Sequence, residues 1–117
     1  MTSSIINQGG IDNLTLQYNE LSTNSKELPD KLFVIMVKAE WCAPCKQIYP
    51  KVLELSQNYP SVKFYKLNID DEEHQDVINF LNPSKVPSFF LYKNCKVIEK
   101  IIGTNLNNLE DLINTLL

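Results

Sequence analysis

The sequence predicts an α/β fold: a central mixed sheet of about five strands flanked by about four helices. Three observations lead there. Apolar spacing switches between strand-like and helix-like along the chain, giving the order β-α-β-α-β-α-β-β-α. Residues 32–39 (LFVIMVKA) form a nearly continuous apolar run rich in Val and Ile, as in a strand covered on both faces. The last two strand-like stretches are separated by a short turn and must pair antiparallel. Helices between the earlier strands make crossovers, which join parallel neighbours.

In chain order, residues 3–7 (SSIIN) read as a short strand closed by Gly9 and Gly10. Ile11, Leu14, Tyr18 and Leu21 fall at helical spacing and predict an amphipathic helix. Residues 22–30, with Pro29, read as a loop that precedes the apolar strand. From residue 43 to about 59, Ile48, Val52, Leu53 and Leu55 predict a second helix, with Pro50 inside it as a bend. Residues 62–69 read as a strand and 72–81 as a short helix. Residues 88–92 and 97–102 are two strands joined by Lys93-Asn94-Cys95-Lys96. Leu106, Leu109, Leu112, Ile113 and Leu116 then predict a closing helix, with Asn105 as its N-cap. No repeat or linker divides the chain, so residues 1–117 are expected to be one domain, near the commonest domain size.

Composition excludes several functions. A net charge of −3 argues against nucleic acid or an acidic membrane surface as partner. MTSSIINQGG lacks both Lys or Arg and an apolar core, so a secretory signal is not expected. No stretch approaches the roughly 18 apolar residues of a membrane span. Three cysteines are too few, and odd in number, for a disulfide framework. A reducing compartment, the cytoplasm, is the expectation, and C-x-x-C there means redox chemistry or metal binding.

That pair is Cys42 and Cys45. On a helix, residues three apart hold their Cα atoms about 5 Å from one another, a separation a disulfide accepts. The pair can open and close with little backbone movement. Cys42 follows the buried strand and opens a helix, where unpaired N–H groups and the positive helix end favour thiolate over thiol. Pro44 suits the first helical turn, where its missing N–H costs nothing. Cys45 lies one turn deeper and should keep its proton longer. Cys42 is therefore expected to attack a substrate disulfide, and Cys45 to resolve the mixed disulfide.

These residues resemble the thioredoxin family. W-C-A-P-C-K (Trp41–Lys46) follows a strand ending V-K-A-E, and Pro50 stands eight residues after the first cysteine. K-L-N-I-D (Lys66–Asp70), Val86-Pro87-Ser88, Phe89–Lys93 and Gly103 match the family's later elements, so the likeness spans roughly residues 5–117. The resemblance implies a thioredoxin-like fold and reduction of protein disulfides. It also implies no cofactor beyond the Cys42–Cys45 disulfide, recharging by a thioredoxin reductase or equivalent, and a monomer. By the same resemblance, Trp41, Ala43 and Pro44 border a substrate surface, Pro87 is cis and lies against the dithiol, and Val86 offers backbone hydrogen bonds.

Two positions depart from the family pattern. Where thioredoxins carry a buried Asp that assists the resolving thiol stands Met36, which takes no proton; two residues on stands Lys38 instead of an aromatic. Slower resolution is expected. Lys38 and Lys66 are candidate modulators, read first as solvated or ion-paired lysines. The absence of His before the second cysteine favours a reducing couple. Cys95 occupies a turn position that prefers glycine, and His74 lies in the polar run DDEEHQD as a solvated residue. A zinc site from Cys42, Cys45, Cys95 and His74 is set aside, because the hairpin tip and third helix lie away from the dithiol; no metal is expected. Two other functions compete with general reduction. One is a binding module that holds a partner without turnover, and the other an electron donor dedicated to one enzyme.

Overall fold

The computed structural model describes residues 11–13 and 25–117. Among them, one sheet has the order β1-β3-β2-β4-β5. The strands are β1 (Ile11–Asn13), β2 (Phe33–Lys38), β3 (Lys63–Asn68), β4 (Ser88–Lys93) and β5 (Lys96–Ile102). Helices α1 (Ala43–Asn58), α2 (Gln75–Leu81) and α3 (Leu106–Leu116) connect or close them. β2 pairs parallel with β3 across the α1 crossover and antiparallel with β4 on its other side. The mixed α/β architecture is as the sequence predicts, and β2, β3, β4 and β5 lie where the sequence places strands.

The beginning differs. Ile11 belongs to a strand, not to the predicted helix: Ile11, Asp12 and Asn13 pair parallel with Phe64, Tyr65 and Lys66. Hydrogen-bonding to the open edge of β3 decides the conformation there, and an apolar spacing of three cannot reveal a partner so distant in sequence. The predicted strand at 3–7, and Leu14, Tyr18 and Leu21, lie outside the described residues. Residues 25–27 are helical where a loop was expected.

Side-chain alternation along β2 makes two cores. Leu32, Val34 and Met36 face α1 and α3, meeting Cys45, Ile48, Val52, Leu109 and Ile113. Phe33, Ile35 and Val37 face the opposite side, with Tyr65, Leu67, Val77, Ile78 and Leu81. Burial on both faces explains the nearly continuous apolar run. The Tyr59 hydroxyl, 2.9 Å from a Glu110 carboxylate oxygen and 3.1 Å from Asn114 Oδ1, ties the end of α1 to α3. Asn105 caps α3 as predicted, its side chain accepting the Asn108 N–H.

The hairpin between β4 and β5 turns on Asn94 and Cys95, with φ of 52° and 63°. Two positive φ values in a two-residue turn match the twist of the paired strands, and Asn-Gly fills such turns best. Cys95 sits where glycine is preferred; its N–H donates to buried Ser25 Oγ at 2.8 Å. Because Tyr92 pairs with Phe33 and Ser88 with Val37, this turn lies at the far end of β2 from Cys42. The separation is roughly 17 Å along the strand.

His74 is buried, not solvated: its ring Nδ1 is 2.9 Å from Asp71 Oδ2 in the one-turn helix Glu72–His74 that precedes α2. The charged neighbours in the sequence hid an inward-facing position. The contact with His74, followed by the Glu73 backbone N–H, holds the Asp71 carboxyl below the usual carboxylate range. A depressed carboxylate contributes stability above its unfolded value of about 3.9, lost as pH falls through the lower folded value. Asp71→Asn should therefore lower the urea midpoint more at about pH 6 than at about pH 3. Equal losses at both would remove the linkage.

Candidate active site

Helix α1 starts at Ala43 because Cys42 is extended, with φ −91° and ψ 103°, and its sulfur accepts the Cys45 N–H at 3.2 Å. Cys42 is thus the helix N-cap, a place held elsewhere by Ser, Thr or Asp. Pro44 occupies the first turn, as its fixed φ requires. Cys42 and Cys45 are joined in a disulfide with Cα atoms 5.3 Å apart, close to the separation the helix dictates. Both sulfur-bearing residues are buried, with 4% and 1% of their surface exposed, and Cys45 is the deeper.

Around the pair, Ala43 and Pro44 are exposed, and Trp41 is 70% exposed. The indole is nonetheless held: Nε1 donates to Asp70 Oδ2 at 3.0 Å. The Val86–Pro87 bond is cis, as the resemblance implies, and Pro87 is buried. Pairing of Ser88 with Val37 brings Pro87 to the end of β2 from which the chain runs to Cys42. The Pro87 carbonyl accepts the Gly103 N–H at 2.9 Å, and Gly103 reaches it with φ 106°, a conformation that favours glycine.

Behind Cys45 opens a recess of about 250 Å³, which Lys38, Glu40, Lys46, Tyr49 and Lys66 also line. Lys38 Nζ is 3.1 Å from Glu40 Oε2, and the Asn68 amide donates to the same oxygen at 3.4 Å. Hydrogen bonding and charge from Lys38 hold the Glu40 carboxyl below the usual range, with Lys46 and Lys66 adding to the effect. Lys66 Nζ donates to the Tyr49 hydroxyl at 3.2 Å and lies 5.0 Å from the Tyr49 ring centre. Met36, 1% exposed, is the register partner of Lys66 and packs in the same core as both cysteines.

Sequence reasoning named the dithiol, its flanking residues and both lysines. It missed Asp70, Glu40 and Tyr49. Tyr49 carried a usable signal, since it stands four residues after Cys45 and so on the same helix face. The Trp41–Asp70 contact joins residues 29 positions apart and carried none.

An N-capping cysteine disulfide-bonded to the residue three further on, at the end of the central strand of this sheet, defines a thiol–disulfide oxidoreductase. The family model described as Thioredoxin matches residues 14–116. Thioredoxin-1 of Saccharomyces cerevisiae is 42% identical over 76 residues, which cover 65% of this chain and 72% of that protein. Thioredoxin f from spinach chloroplast in its long form superposes with a TM-score of 0.83 at 24% identity, covering 99% of this chain and 93% of that one. A chain of the crystal structure of the ferredoxin: thioredoxin reductase and thioredoxin f2 complex superposes with a TM-score of 0.80 at 27% identity, covering 93% of this chain and 96% of that one. The chain belongs to the thioredoxin family. It is a protein-disulfide reductase, and its redox group is the Cys42–Cys45 pair itself.

Proposed function

We propose that Cys42 is the attacking thiol and Cys45 the resolving one. The observation that carries this is the asymmetry at the start of α1: Cys42 caps the helix and accepts an N–H, while Cys45 is one turn inside and deeper. In the reduced form the Cys42 thiolate attacks one sulfur of a substrate disulfide, and the other substrate sulfur leaves with the electron pair and takes a proton from water. Cys45 loses its proton and attacks Cys42. The Cys42–Cys45 bond forms, and the second substrate sulfur leaves. Two electrons and two protons pass to the substrate.

Trp41, Ala43, Pro44, Val86 and Pro87 form the docking surface for an extended, disulfide-bearing segment of a protein substrate, with backbone groups of Val86 pairing to it. A reductase partner, a thioredoxin reductase or its equivalent, returns the pair to dithiol; the reductase complex containing a relative supports this. We place the protein in the cytoplasm as a monomeric, single-domain reductase with neither nucleic acid nor membrane as partner. Among the described residues, no helix is long and apolar enough to cross a membrane.

The role assignment is tested by trapping. Cys45→Ser should accumulate mixed disulfides with substrate proteins through Cys42, resolved by non-reducing gels and mass spectrometry. The converse variant, Cys42→Ser, should accumulate none. Equal trapping by both would overturn the assignment.

A further inference from the structure

On the reading that Trp41 belongs to the docking surface, we propose that Asn68 positions it. The Asn68 side chain fixes the turn from which Asp70 grips the indole.

Packing does little to hold Trp41. It is 70% exposed, and an indole so placed can move among rotamers on the picosecond-to-nanosecond scale. Its polar tether is the bond from Nε1 to Asp70 Oδ2 at 3.0 Å. Asp70 is itself exposed. A carboxylate on a loose surface turn would follow the indole instead of holding it, so the tether works only where the Asp70 backbone is fixed.

Asn68 fixes it. β2 and β3 run parallel, with Lys38 beside Asn68 at their carboxyl ends, and a turn follows each strand. The Cys42 N–H donates to the Ala39 carbonyl at 3.2 Å, which puts Glu40 and Trp41 at the centre of one turn. The Asp71 N–H donates to the Asn68 carbonyl at 3.0 Å, which puts Ile69 and Asp70 at the centre of the other. Within that second turn the Asn68 side-chain oxygen accepts the Asp70 N–H at 3.0 Å. Asn and Asp favour turns because they can reach the backbone two residues on in this way. Asn68 therefore holds the peptide N–H groups on both sides of the Asp70 Cα, and the direction in which the carboxylate leaves the backbone is set. The Ile69 N–H, donating to the Lys38 carbonyl at 2.8 Å, locks the same turn to β2. The Asn68 amide also donates to Glu40 Oε2 at 3.4 Å, a longer and weaker contact that reaches the turn carrying Trp41.

The consequence is preorganisation. An indole already held loses little freedom when a substrate docks, whereas a loose one must be ordered first. For one interface side chain that difference corresponds to about three- to tenfold in affinity. The sulfur chemistry is left alone, since Asn68 acts through Asp70 and the indole.

Trp41 is the chain's single tryptophan, so fluorescence anisotropy decay reads its motion directly. In Asn68→Ala with the disulfide intact, nanosecond depolarisation should take a severalfold larger share of the decay than in wild type. KM for insulin reduction, with dithiothreitol as electron source, should rise about three- to tenfold while kcat stays within about twofold. Asn68→Asp keeps an oxygen for the Asp70 N–H and should stay within about twofold of wild type in both readouts. Trp41→Ala, measured alongside, should raise KM at least as much as Asn68→Ala. Where Trp41→Ala does so, a wild-type anisotropy or a wild-type KM in Asn68→Ala overturns the proposal. Equal losses in Asn68→Asp and Asn68→Ala, or a fall in kcat at unchanged KM, overturn it too. If Asn68→Ala does not fold by circular dichroism, Asn68→Leu, which keeps the branched shape without the acceptor, decides by the same two readouts. An unchanged KM in Trp41→Ala would instead overturn the docking role of Trp41, and the positioning role falls with it.

Discussion

Cys42→Ser is expected to lose at least a thousandfold in the rate of insulin-disulfide reduction, about 4 kcal/mol of transition-state stabilisation. The reason is chemical. Thiolate is the nucleophile toward a disulfide sulfur, and a serine hydroxyl neither ionises near neutral pH nor makes a bond that thiol exchange can reverse. The effect should not be structural, since serine is itself a favoured N-cap and can accept the N–H that the Cys42 sulfur now accepts. The measurement is insulin turbidity with dithiothreitol as the electron source, beside a urea unfolding curve. An active Cys42→Ser protein would move the chemistry elsewhere in the chain. A protein that is inactive because it is unfolded would leave the curve to reveal it.

Phe89→Ala is expected to cost about 3–5 kcal/mol of stability. Phe89 is fully buried, pairs with Met36 on β2 and Ile101 on β5, and packs in the core that contains both cysteines. Strands on both sides keep that cavity from collapsing, so the loss should lie toward the upper part of the range. A domain of this size has about 5–15 kcal/mol in total, so roughly a fifth or more would go. The urea midpoint should fall with little change in slope. A loss under about 1 kcal/mol would mean that the neighbours close over the gap.

Legibility of the fold tracked how local each determinant is. The nearly continuous apolar run at 32–39, the cysteine spacing with Pro44, and the apolar rows of α1 and α3 are each local to one element, and each proved where it was read. Ile11 failed because its partner is Phe64, far along the chain. His74 failed because charged neighbours say nothing about which side chain of a short turn points inward. At the site, the two cysteines and the lysines were visible as residue types. What Lys66 touches depends on the register of β3 beside β2 and on the α1 face above it. Only the assembled sheet supplies that, and it places beside Lys66, read as solvated or ion-paired, the hydroxyl and ring of Tyr49.

The sheet order has a consequence for motion. β2 lies third of five, with a hydrogen-bonded neighbour on each side and apolar layers above and below. Amides in such a strand exchange with solvent only when the whole domain opens, whereas those at sheet edges exchange through local fraying. The reactive sulfurs are thus moored to the slowest-breathing segment of the molecule. Redox cycling can switch a covalent bond at the end of β2 while the strand that carries it stays still.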